Sequence, residues 1–197
     1  MTTIKDSMNV LTSTYDYNGD GTAEDKTLTK TDAAAVTKTA MDTAGNNLSA
    51  LEWSPGLFMA AKDQTTYLAT ASSIEADHGD STVVARMTKY GTATSDAKEL
   101  SVWGDMNAQG VVVLLAIDDL DSTSAFQAAM LSTGTKYAGV AAADHASNTR
   151  VTTVNLDSNF VTGSDYTTCV VATVAAAAPT GAIALAAAST FALAALF

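Results

Sequence analysis

The sequence is poor in cysteine, histidine, proline and positive charge, and each scarcity closes off a class of function. Its one cysteine among 197 residues, Cys169, cannot form an internal disulfide or supply a thiolate-rich zinc site. Stability must therefore come from packing or from a partner. Within Thr168-Cys169-Val170-Val171 that thiol reads as a small buried hydrophobe. The two histidines, His78 and His145, leave no His-Glu-x-x-His spacing for zinc. No Gly-x-Ser-x-Gly elbow occurs, nor a phosphate-cradling or dinucleotide glycine pattern, since Gly110 precedes an apolar run instead of following one. Ten Lys and Arg stand against 21 Asp and Glu, and the net charge of −11 repels phosphate backbones, so nucleic acid is excluded as a partner.

What is present fits a folded chain: 47% of residues are hydrophobic, which rules out wholesale disorder. The length suits one domain with an appendage. Residues 1–50 are polar, rich in Thr and Asp, and lack large aliphatics. They read as loop plus one short helix that opens at Asp32, whose carboxylate can accept backbone N–H groups, and stops near Gly45. The first fifteen residues contain no apolar signal-peptide core.

Residues 51–174 read as a strand-rich globular domain. Strands are expected at Tyr67–Ala71, Thr82–Thr88, Leu100–Trp103, Lys136–Ala142, Arg150–Leu156 and Tyr166–Val174, with a central strand, apolar on both faces, at Gly110–Ile117. A helix over Thr123–Leu131, capped by Asp121 or Ser122, ends at Gly134. The expected fold is mainly β or α+β, antiparallel and strand-rich, with one or two short helices and an apolar C-terminal helix. Trp53, Phe58, Tyr67 and Trp103 read as core or interface residues.

One ligand pattern stands out. In Asp16-Tyr17-Asn18-Gly19-Asp20-Gly21-Thr22, oxygens at alternate places can converge on a hard cation while Gly21 permits a sharp turn. The run resembles the loop of EF-hand and dockerin-type calcium sites, which implies calcium held by Asp16, Asn18, Asp20 and the Thr22 carbonyl. It departs from that pattern at the twelfth place, where Thr27 replaces a bidentate acid, so Glu24, Asp25 or another carboxylate must substitute. An empty Asx turn is the alternative, because Asn-Gly and Asp-Gly are common turn dipeptides. A second acidic cluster, Asp118, Asp119 and Asp121, reads as helix capping before metal binding. His78 with Ser81, or His145 with Ser147, sketches a hydrolase, but adjacency alone makes no triad, and both histidines read as surface turn residues.

The last 32 residues, Tyr166–Phe197, carry no charged side chain. Pro179 suits a first helical turn, and the Ala- and Leu-rich run after it favours a helix within residues 175–197. About nineteen such residues span roughly 28 Å, close to a bilayer's apolar thickness of about 30 Å. Ile183, Leu185, Phe191, Leu193, Leu196 and Phe197 would then face lipid as a transmembrane anchor, or bury one another in a self-assembled filament or layer. A removable lipid-anchor signal and an ordinary core helix are the other readings.

These features suggest a non-enzymatic structural or cell-surface subunit outside the cytoplasm, anchored in a membrane or self-associating through its C-terminal helix, with calcium as the candidate cofactor. Its partners would be copies of itself or other membrane subunits. The alternatives are a single-span accessory subunit of a larger membrane complex and, behind it, a hydrolase.

Overall fold

The computed structural model describes residues 32–45, 48–71, 82–118 and 123–167. These form an α+β body around a mixed four-stranded sheet. In chain order the elements are α1 (Ala33–Ala44), β1 (Glu52–Trp53), α2 (Pro55–Thr70), α3 (Val83–Thr88), β2 (Gly91–Thr92), β3 (Lys98–Trp103), α4 (Ala108–Ile117), α5 (Ala125–Met130), β4 (Tyr137–His145), β5 (Thr149–Asp157) and β6 (Val161–Thr162). A 3-10 turn, Ser164–Tyr166, follows.

The sheet runs β1-β4-β5-β3, with β4–β5 and β5–β3 antiparallel and the short β1 parallel to β4. Register explains its two faces. Val140 lies opposite Val154, which lies opposite Leu100, and Ala138 lies opposite Leu156, so this face is apolar and packs on α4 and α5. Helix α1 joins the same core through Ala33 and Met41. The reverse face carries Gly139, Asn155 and Glu99 in one row, with Thr153 and Ser101 in the next. Helix α2 covers it so closely that a Cβ on Gly139 would stand 2.2 Å from the Leu57 carbonyl carbon. A smaller core of Leu57, Ala60, Met87, Ala97 and Phe160 lies on the α2 side.

Several elements differ from the sequence expectation. Tyr67–Ala71 is the end of α2 and its cap, because Ser54 accepts the Leu57 N–H and Pro55 occupies the first turn, starting a helix of 16 residues. Thr82–Thr88 forms α3, with the Thr82 hydroxyl accepting the Ala85 N–H. Its β-branched run suggested a strand, and the cap overrides that preference. Gly110–Ile117 is most of α4, opened by Asn107 Oδ1 on the Gly110 N–H at 2.7 Å. A continuous apolar run of that length suits a buried helix as well as a buried strand. Here it is enclosed by the sheet, α1 and α5. With five α-helices among the described residues and a parallel strand pair, neither the mainly β alternative, the all-antiparallel sheet nor the count of one or two helices holds.

The strands near Leu100–Trp103, Lys136–Ala142 and Arg150–Leu156 stand, as does the helix ending at Gly45. Asp32 precedes that helix with left-handed backbone, φ 55°, and no capping bond from its side chain. Tyr166 closes the 3-10 turn instead of opening a strand; the remainder of that expected strand lies outside the described residues.

Candidate functional site

Among the described residues, the apolar face of the sheet is incompletely covered. Val140 and Ala142 on β4, with Thr152, Val154 and Leu156 on β5, form one wall of a cavity of about 520 Å³. Val111, Val112 and Leu115 of α4 form the opposite wall, with Met130 of α5 beside them. Strand β1 contributes Trp53 and α2 contributes Phe58, whose ring centroids lie 5.5 Å apart. One turn beyond Phe58 on α2, Lys62 reaches the same cavity.

The walls are built for apolar contact. Val112, Leu115, Val154 and Leu156 are buried, whereas Trp53 and Ala142 are exposed at the opening. Only two charged residues line the cavity, Lys62 and Arg150, and both are cations in a strongly acidic chain. Exposed Lys62 makes no ion pair among the described residues. Arg150 has carboxylates only at long range, Asp144 at 3.9 Å and Asp105 at 4.0 Å, both well exposed. Such pairs contribute little in water. A concave, mainly apolar space with few polar groups is the usual form of a small-molecule site.

No family model matches the sequence, and no curated protein matches it. Among solved structures, the chain is similar to an outer surface protein from Borrelia burgdorferi. The identity is 18% and the TM-score 0.48, over 64% of this chain and 90% of that one.

The sequence-derived site residues are distributed differently. The calcium candidates Asp16, Asn18, Asp20, Thr22, Glu24 and Asp25 lie outside the described residues, as do Ile183, Leu185, Phe191, Leu193, Leu196 and Phe197. Among the described residues no helix is long and apolar enough to cross a membrane, and no three His, Cys, Asp or Glu side chains group to hold a metal. Of the second acidic cluster, Asp118 is described. Its left-handed backbone, φ 50°, ends α4 while its Oδ2 accepts the Phe126 and Gln127 N–H groups that open α5. Asp118 thus caps α5, while Asp119, Asp121 and Ser122 lie outside the described residues.

His145 is buried, not a surface turn residue, and both its ring nitrogens are engaged. Nδ1 accepts the Ser147 and Asn148 backbone N–H groups at 3.2 and 3.0 Å, which places the ring proton on Nε2, facing the Ala71 carbonyl at 3.0 Å. Trp103 meets the ring edge-on at 5.0 Å between centroids. This histidine pins the β4–β5 turn to the end of α2, and Ser147 reaches it through its backbone. His78 and Ser81 lie outside the described residues.

Sequence reasoning passed over Lys62 and Arg150, and placed Trp53 and Phe58 among core or interface residues. The Ser54-Pro55 helix start was the missed signal. It sets Phe58 and Lys62 four residues apart on one helix, hence on one face.

Proposed function

We propose that the chain is a non-enzymatic binding domain displayed outside the cytoplasm. The cavity between α4 and the sheet is its working site, and the uncharged C-terminal run is its tether to a membrane or to neighbouring copies. The observation that carries this reading is the apolar space of about 520 Å³ in a chain of net charge −11. A concave apolar surface of this size, open to solvent at Trp53 and Ala142, is the usual form of a ligand site. Calcium at the Asp16–Asp25 loop belongs to the same proposal, and a chelator is expected to lower the unfolding temperature.

The test uses the full chain and a solvatochromic apolar dye. One dye per chain is expected to bind with a blue-shifted emission, and Ala142→Trp, which grows a ring from an exposed position on the cavity wall, is expected to remove that signal without moving the unfolding temperature. Absence of the shift in the unmodified chain would refute the reading. A second reading, the self-associating or membrane-accessory subunit, draws on the 32 uncharged residues at the C-terminal end. Homopolymers visible by negative-stain imaging, or fixed stoichiometry with unlike chains, would distinguish its two forms.

A further inference from the structure

The two cations of the cavity lining narrow the ligand. Apart from the Thr152 hydroxyl and the Trp53 indole, its other named walls, from Val112 and Leu115 to Val154 and Leu156, offer hydrocarbon contact, so a fully polar anion would lose most of its hydration without replacement there. A fully apolar ligand would fill the walls and leave Lys62 and Arg150 without a role. One chemistry satisfies both: a hydrocarbon chain ending in a single negative group.

We infer that the cavity takes a single-chain anionic amphiphile, a long-chain carboxylate, with its tail between α4 and the sheet and its headgroup at Lys62 and Arg150. This rests on the reading of the cavity as a binding site and adds the ligand's class. Charge complementarity supports it. Acidic side chains outnumber basic ones by two to one along the chain, yet the lining holds two cations and no acid. Lys62 lacks an ion-pair partner among the described residues, and Arg150 has only its distant, exposed carboxylates, so both remain available to an incoming anion. A guanidinium offers a carboxylate two parallel hydrogen bonds, and an ammonium adds a point charge. The headgroup therefore stays at the exposed opening, where a carboxylate avoids the cost of full burial.

The test titrates the full chain with dodecanoate, dodecanol and dodecyltrimethylammonium, each below its micellar concentration, and reads tryptophan fluorescence, to which Trp53 on the cavity wall contributes. Dodecanoate is expected to bind about tenfold more tightly than dodecanol, and the cation more weakly than either. Lys62→Gln combined with Arg150→Gln, both changes at exposed positions, is expected to erase the preference for dodecanoate over dodecanol, and a preference that persists would overturn the headgroup assignment. Equal affinity for dodecanoate and dodecanol in the unmodified chain would overturn the headgroup assignment alone and leave the apolar site standing. Failure of all three to bind would overturn the site itself, and with it this inference.

Discussion

At the scale of single residues, the most consequential arrangement is a layer of polar groups buried between α2 and the sheet. Arg86 is 1% exposed and pairs with Glu99, whose side chain is 5% exposed. In the amide orientation that satisfies both of its ends, Asn155 donates to Glu99 Oε2 and accepts the Ala61 N–H, each at 3.0 Å. Removing one partner of such a pair leaves the other charge in a poor solvent. Arg86→Ala is expected to cost about 3 to 5 kcal/mol in denaturant unfolding, and Arg86→Met with Glu99→Leu much less. Tyr90 supplies a pH dependence. Its phenol is pushed from 10.0 up to about 12, first by burial, then by the Asp63 charge and its hydrogen bond to Asp63. The folded state favours the neutral phenol, so this contribution is complete below pH 10 and lost as pH rises through about 12. The unfolding midpoint is expected to fall across that window, and to fall less in Tyr90→Phe. None of these pairings was legible in the sequence, because Arg86, Glu99 and Asn155 meet only once α3, β3 and β5 have assembled.

Elements were legible where a local signal and the tertiary setting agreed. The strand at Leu100–Trp103 alternates apolar with polar, and its two faces do meet different layers. Helix α1 ends where Gly45 allows, its φ of 66° being accessible to glycine. Two of the elements that differ, α3 and α4, share one cause: the runs Val83-Val84 and Val111–Ile117 favour a strand by themselves, and the capping residues in front of them override that preference. In α4 the cap decides the element, so Asn107→Ala is expected to destabilise the protein by about 1 kcal/mol. Helix α2 packs on β4 at Gly139 with no room for a Cβ, a demand that single-sequence periodicity does not express. Gly139→Ala forces backbone apart and is expected to cost about 3 kcal/mol, read as a shifted denaturation midpoint.

For the whole molecule, the order of strand and helix signals pointed to a mainly β or α+β body, of which the structure is the α+β form, while the net charge of −11 argues against a nucleic-acid partner. Neither could indicate the cavity, which the apolar sheet face and α4 form among the described residues only once the strands and helices have assembled. The proposed tether, the uncharged C-terminal run, gives a prediction at this scale. Leu185→Lys with Leu193→Lys is expected to release the full chain from membranes or assemblies into the soluble fraction, checked by sedimentation. An unchanged distribution would count against the tether.

The central claim is that the space beside Val112, Leu115 and Val154 admits an apolar guest. A crystal of the full chain equilibrated with pressurised xenon tests this most directly, since xenon settles in dry apolar chambers. The expected result is xenon density against those three side chains. Density there from the chain's own side chains, with no xenon bound, would contradict the claim.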